Sequence, residues 1–158
     1  SILGRISSRG WISAARQSEL AREKIAALKI KTASAGAAVR TLSGGNQQKV
    51  VLGKWLASDP RIVILDEPTA GIDIGSKSEI ITLIRELASQ GKAVIVISSE
   101  LNELLAACDR ILVMSGGQLV RDLDRAHFDP QGESDTERSM QDAEHALQRV
   151  LQEARTNV

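Results

Sequence analysis

The sequence contains very little cysteine and few aromatic residues. Cys108 is the only cysteine, and the 158 residues include one Phe, two Trp and no Tyr. An intrachain disulfide and a cysteine-based metal cluster are therefore excluded. We expect Cys108 to be a small, buried apolar residue rather than a reactive thiol, because it lies in an apolar stretch. The low cysteine content is in keeping with a cytoplasmic location.

Two further features are missing, a net charge and a long apolar run. Twenty Lys and Arg residues balance twenty Asp and Glu residues, so the net charge gives no reason to expect a nucleic-acid partner. No apolar run, Ala93–Ile97 included, approaches the roughly 20 residues that a membrane-spanning helix needs. Any role at a membrane must therefore come through partner subunits.

Apolar strand patterns alternate with helical patterns along the chain. Strands are predicted at 61–66 and 92–98, and their continuous apolar runs suit strands that are covered on both faces. Two more strands, at 110–114 and 118–123, flank a Gly-Gly turn. Helices are predicted at 12–29, from 41–45 to about 57, at 76–90 and at 101–107. This order predicts an α/β fold with a parallel sheet and flanking helices.

The predicted strand at 61–66 ends in two adjacent carboxylates, Asp66 and Glu67. Ligands bind at the carboxyl edge of parallel sheets. One carboxylate there could hold Mg²⁺, which prefers oxygen ligands, and the other could deprotonate an attacking water. A strand that simply ends in solvated acidic residues is the alternative. Successive strand residues point to opposite faces, so the two carboxylates should differ in role.

A second candidate site lies upstream, at 42–48 (LSGGNQQ). Gly44 and Gly45 stand at a predicted helix start, where free N–H groups and the helix dipole favour an anion. The hydroxyl of Ser43 adds another donor. This pattern indicates a phosphate-binding helix end, although a Ser N-cap with a glycine-rich turn would look the same.

Together the two motifs resemble a known family. Residues 42–49 (LSGGNQQK), a helix and residues 61–68 (RIVILDEP) are similar to the signature loop and Walker B strand of ABC transporter ATPases. With 71–73 (GID) and 97–101 (ISSEL), they resemble the second ATPase half of bacterial sugar importers of the ribose and xylose type. The resemblance spans about residues 42–119.

The resemblance implies roles for the loop residues. Ser43, Gly44 and Gly45 would contact the γ-phosphate of an ATP held by an opposing ATPase half. Asn46, which stands where many relatives have Gln, would belong to the same nucleotide-binding loop. Asp73 would lie in the loop that communicates between the two halves.

It also implies the roles of the strand ends. Asp66 would serve Mg²⁺, and Glu67 would activate the hydrolytic water. Ser99 occupies the place of the switch histidine of the family. Serine cannot act as a protonatable phosphate sensor, and many second halves of sugar importers look similar here.

A P-loop, Gly-x-x-x-x-Gly-Lys-Ser/Thr, is not found in the 158 residues. Residues 71–78 (GIDIGSKS) have the wrong spacing and do not follow a strand, so they do not qualify. The P-loop supplies most of the donors that hold the β- and γ-phosphates. We therefore expect an incomplete P-loop NTPase core that is inactive as an isolated chain. Its 92–98 strand should form an exposed edge, so that the chain is unstable alone, pairs through this edge or covers it with the C-terminal helix.

The predicted organisation has three parts. Residues 1–41 would be part of an ABC helical subdomain, 42–124 the signature and Walker B part of the core, and 125–158 a tail. A capping-box spacing at 134–137 and an apolar stripe predict an amphipathic helix in this tail. That helix would either pack on its own domain or dock a partner.

The resulting functional hypothesis is a partial ATP-binding subunit of a carbohydrate importer. It would lie peripherally at the cytoplasmic face of the bacterial plasma membrane, with ATP and Mg²⁺ as cofactors. Its partners would be a second ATPase half, transmembrane permease subunits and, indirectly, a sugar-binding protein. The alternative is a non-catalytic module that lends its signature loop or a docking surface to another ATPase half. An ABC protein of DNA repair or translation is less well supported, because Asn46 and the Ser98-Ser99-Glu100 pattern are not usual there.

Overall fold

The computed structural model describes residues 6–8, 11–128, 145, 147–149 and 152. The chain divides into two compact units, Ser1–Ile95 and Val96–Val158. The elements in chain order are β1 (Ser7–Ser8), β2 (Trp11–Ile12), α1 (Ala14–Ala27), a 3₁₀ turn (Val39–Thr41), α2 (Gly44–Leu56), β3 (Ile62–Asp66), α3 (Ile74–Ser89), β4 (Ala93–Ile97), α4 (Leu101–Ala107), β5 (Arg110–Ser115), β6 (Gln118–Asp124) and α5 (Arg125–Phe128).

The predicted α/β fold with parallel strands and flanking helices is confirmed. Each predicted strand and helix up to residue 124 is present, and the ends differ from the predictions by one or two residues. Helix α3 ends at Ser89, and Gly91 follows it with the left-handed φ of +83° that glycine adopts most readily. No helix in the described ranges has both the length and the apolar character needed to cross a membrane.

In the first unit the core lies around the inner faces of α2 and α3. Ile80, Ile84 and Leu87 of α3 are buried, as the periodicity predicts. Gly53 of α2 lets Leu28 come close, since a Cβ at residue 53 would lie 2.9 Å from the Leu28 Cδ1 atom. Helix α1 has no buried residue of its own. One of its sides, with Ala21 and Ile25, lines an apolar cavity of about 380 Å³.

Strands β3 and β4 are neighbours in one sheet, and the prediction that both are covered on both faces is wrong. In β3, Val63 is buried whereas Ile62 and Ile64 are 61% and 65% exposed. In β4, Ile95 and Ile97 are about half exposed. The apolar runs suit two covered faces, but the described residues cover only one face of β3. In the described part of the chain β4 pairs with β3 alone, which makes it an edge strand.

The second unit is built on the hairpin of β5 and β6. The strands are antiparallel from the pair Arg110–Asp124 to the pair Ser115–Gln118, and Gly116 and Gly117 form the turn with positive φ. The buried cluster of this unit consists of Leu105, Ile111, Val113, Leu123 and Leu147. Cys108 packs against this cluster, and burial raises the pKa of its thiol, in agreement with the predicted unreactive role.

Leu147 brings the C-terminal tail into this core, with 2% of its surface exposed. Packing on its own domain was one of the two predicted roles of the tail, and the burial of Leu147 supports it. The predicted capping box at 134–137 lies outside the described residues. The predicted boundaries at 41/42 and 124/125 stay predictions.

Candidate functional site

The glycine-rich loop forms the N-terminal end of α2. Ser43 is the N-cap residue, and its carbonyl oxygen accepts a hydrogen bond from the Gln47 N–H at 2.9 Å. Ser43 and Gly44 are exposed, whereas Gly45 is buried. The Ser43 side chain makes no capping hydrogen bond to the helix. Exposed N–H groups at a helix start attract anions, so the loop has the chemistry of a phosphate contact.

The start of α3 lies directly against this loop. A Cβ placed on Gly45 would lie 2.2 Å from the Ser76 Oγ atom and 2.4 Å from the Ser76 Cβ atom. A Cβ on Gly44 would touch Ile72 at 3.4 Å. The N-terminal ends of two helices are therefore adjacent, and only glycine at residue 45 permits this approach.

Asp73 caps the second of these helices. Its carboxylate accepts hydrogen bonds from the Ser76 N–H at 3.0 Å and from the Ser76 hydroxyl at 2.7 Å. These bonds, the backbone one first, hold the pKa of Asp73 below its ordinary value. The structure thus brings Asp73 next to the Ser43–Gly45 loop through Ser76, a residue that no sequence motif indicated.

Asn46 links the loop to the segment that follows α1. Its Nδ2 atom donates to the Ser43 Oγ atom at 2.8 Å, and its Oδ1 atom accepts from the Lys31 N–H at 2.7 Å. One turn further along α2, the buried Lys49 forms an ion pair with Glu79 of α3 at 2.7 Å. Lys49 and Glu79 were not predicted to be partners. A lysine on the inward side of α2 was the one available signal, because its partner is 30 residues away.

Asp66 and Glu67 lie where β3 ends. Asp66 is exposed and Glu67 is partly buried. Glu67 has a φ of +44°, the left-handed region that costs energy for a residue other than glycine. Such strain is found at functional sites, although here it is also the bend that carries the chain into the buried residues Pro68 and Thr69.

A magnesium ion is compatible with this strand end. Mg²⁺ uses one or two carboxylates and keeps several waters or phosphate oxygens as its other ligands. The exposed Asp66 is placed to supply one such carboxylate. A denser cluster of three or more potential metal ligands does not occur among the residues that the structure describes.

Ser99 lies in the second unit, between β4 and α4, and it is exposed. The residue before it, Ser98, donates to the carboxylate of Glu103 at 2.9 Å and accepts from the Glu100 N–H at 3.0 Å. Glu103 is 5% exposed. The buried carboxylate and Ser98 therefore fix the backbone on both sides of Ser99.

The fold and these motifs define a class, the ABC ATPase cassettes. One solved structure with this fold is an ATP-binding cassette that was solved as a dimer in a post-hydrolysis state bound to ADP and Pi. It superimposes with a TM-score of 0.63 and 28% identity, over 75% of this chain and 51% of that one. Residues 5–70 also match the family described as ABC transporter.

Bacterial relatives show which kind of ABC protein this chain is similar to. The chain is 50% identical over 129 residues to a ribose import ATP-binding protein of Agrobacterium fabrum, which covers 82% of this chain. It is 48% identical over 121 residues to an arabinose import ATP-binding protein of Rhizobium meliloti, which covers 76% of this chain. The chain has the sequence of an ABC transporter ATPase domain and is homologous to ribose import ATP-binding proteins. It spans about a quarter of the length of these curated relatives.

Proposed function

We propose that this chain supplies a signature loop and a Walker B strand end to an ATPase that energises the uptake of a sugar. The observation that supports this proposal most directly is the helix end at Ser43, Gly44 and Gly45. Its first two residues are exposed, and the start of α3 packs against it. The kinship with ribose and arabinose import ATP-binding proteins supports the choice of a sugar as the transported substrate class.

In the proposed reaction the chain acts on nucleotide at two places. The Ser43 hydroxyl and the N–H groups of Gly44 and Gly45 donate hydrogen bonds to the γ-phosphate of an ATP held by an opposing ATPase half. Asp66 provides a carboxylate for Mg²⁺, which neutralises phosphate charge when bound, and Glu67 accepts the proton of the attacking water.

The other proposed parts of the assembly follow from the same family. The chain would belong to the second ATPase half of the importer and would bind transmembrane permease subunits at the cytoplasmic face of the bacterial membrane. A sugar-binding protein would act with them, without touching this chain. The 158 residues contain no P-loop. In the proposed assembly the β- and γ-phosphates are therefore bound by a P-loop outside these residues.

A non-catalytic role is the second candidate. Ser99, in place of a switch histidine, favours a segment that only lends its signature loop to another half. In that case Glu67 would have no water to activate, whereas Ser43 would still contact a phosphate.

The test mixes the chain with an intact ATPase half of a relative and measures Mg²⁺-dependent ATP turnover. We expect the chain to raise turnover, and Ser43→Ala to remove about 99% or more of the gain, since one lost donor to a developing charge costs about 100- to 1,000-fold. Ser58→Ala is the matched control, because Ser58 is an exposed serine beyond the opposite end of α2. Equal turnover with Ser43→Ala and the unchanged chain would contradict the proposal. Glu67→Gln separates the two candidates, since it lowers turnover only if this chain is catalytic.

A further inference from the structure

The orientation of the Asn46 side chain is fixed by its two partners. On one side it faces the Lys31 N–H at 2.7 Å, and on the other it faces the Ser43 Oγ atom at 2.8 Å. A backbone N–H can only donate, so the amide oxygen of Asn46 must face Lys31. The amide NH₂ group must then face Ser43, and the Ser43 oxygen accepts its hydrogen bond.

The hydrogen bond from Asn46 makes the Ser43 oxygen an acceptor and so limits the directions in which the hydroxyl can donate. A serine at an N-cap commonly accepts a hydrogen bond from a helix N–H, but Ser43 makes no such bond. Its oxygen accepts from Asn46 instead. Its hydroxyl hydrogen therefore points away from the Asn46 amide, and Ser43 itself is exposed. The first N–H groups of α2 are likewise not capped by this side chain.

The anchor of Asn46 is itself held in place. The ammonium group of Lys49 donates to the Lys29 carbonyl oxygen at 3.4 Å and to Glu79 at 2.7 Å. The Lys31 ammonium group lies 3.7 Å from the other carboxylate oxygen of Glu79. The backbone around residues 29–31 is therefore fixed from α2 and from α3, so the Lys31 N–H is a fixed donor for Asn46.

We propose that Asn46 is a positioning residue that acts through Ser43. It holds the Ser43 oxygen as an acceptor, so that the hydroxyl hydrogen and the helix N–H groups face an incoming phosphate. In this proposal Asn46 acts through Ser43 and not by contacting the nucleotide, since its amide oxygen and its amide nitrogen each already make a hydrogen bond within the chain. This inference rests on the proposed contact between Ser43 and the γ-phosphate.

A double-mutant cycle tests it in the assembly of this chain with an intact ATPase half. Mg²⁺-dependent turnover is measured for the unchanged chain, Ser43→Ala, Asn46→Ala and the double variant. We expect Asn46→Ala to lower turnover about tenfold in the presence of Ser43 and less than about twofold in the Ser43→Ala background. Gln17→Ala, which changes an exposed amide on α1 outside residues 42–49, should leave turnover unchanged.

Each outcome decides the matter. A loss that vanishes without Ser43 supports the positioning role, since general damage to the fold would lower turnover in both backgrounds. Equal losses in the two backgrounds would mean that Asn46 acts independently, by contacting nucleotide or by supporting the fold, and would overturn the inference alone. A neutral Asn46→Ala would also overturn it. A neutral Ser43→Ala would instead overturn the proposed phosphate contact, and the inference with it.

Discussion

Among single residues, Gly45 is the position at which the structure leaves the least room. It is buried, and Ser76 of the neighbouring helix lies where a Cβ atom would stand. A Cβ at residue 45 would clash with the Cβ atom of Ser76 as well as with its Oγ atom, so a new rotamer of Ser76 could not relieve the clash. The loop that we propose to contact phosphate is thereby held against Ser76, whose N–H and hydroxyl donate to Asp73, the N-cap of α3.

We expect Gly45→Ala to lower the free energy of unfolding by about 1–3 kcal/mol, because the added methyl group forces the two helix ends apart. This loss should appear although alanine favours a helix by about 1 kcal/mol over glycine. Urea unfolding measures the change. Gly36→Ala is the matched control, since its Cβ would find its nearest neighbour at 3.9 Å and should change stability by less than about 0.5 kcal/mol. Equal effects of the two variants would refute the argument from close approach.

Between elements, the ion pair of Lys49 and Glu79 connects α2 to α3. The Lys49 side chain is 6% exposed and that of Glu79 is 47% exposed. A buried ammonium group needs a partner, and Glu79 is the carboxylate that supplies one. The hydrogen bond from Lys49, followed by the charges of Lys49 and Lys31, lowers the pKa of Glu79.

The lowered pKa predicts how this contact responds to acid. A carboxyl group whose pKa is lower in the folded than in the unfolded state stabilises the fold above its ordinary pKa of 4.5, and the contribution is lost as the pH falls through the lowered value. We therefore expect Glu79→Gln to reduce stability near neutral pH and to flatten the fall of stability below pH 4.5. Unfolding free energies from pH 3 to pH 7 measure both. Parallel curves for the unchanged and substituted chains would show that the ion pair makes no contribution.

For the whole molecule, the division into two units bears on what the tail does. Leu147 belongs to the core of the second unit, beside Leu105 and Leu123. The part of the tail that the structure describes thus adds to the stability of its own unit.

The exposed Ile62 and Ile64 belong to the first unit and are the kind of apolar surface that proteins usually cover.

We expect Leu147→Ala to destabilise the second unit by about 2–5 kcal/mol, since it removes a buried side chain from a packed cluster. Leu119→Ala is the control, because Leu119 lies on β6 of the same unit and is 56% exposed. It should cost less than about 0.5 kcal/mol. Amide hydrogen exchange in β5 and β6 reports on this unit directly. Unchanged protection with Leu147→Ala would mean that the tail residue is dispensable.

The sequence by itself determined the order of elements and the two motifs. Strands such as β3 and helices such as α3 follow from local periodicity, because this signal acts over a few neighbouring residues. The N-cap role of Asp73 was not predicted. The motifs at 42–49 and 61–68 could be identified for the same reason, since each is one continuous segment that can be compared with a known family.

The tertiary structure decided which faces are covered and which side chains meet. A continuous apolar run does not tell whether Ile64 finds a covering layer, because that depends on distant parts of the chain. The partners Asn46 with Lys31, Gly45 with Ser76 and Lys49 with Glu79 are 15, 31 and 30 residues apart. Such contacts arise from packing of whole helices, and no short-range pattern specifies them. The orientation of the Ser43 hydroxyl, on which the proposed phosphate contact depends, is therefore a property of the folded chain.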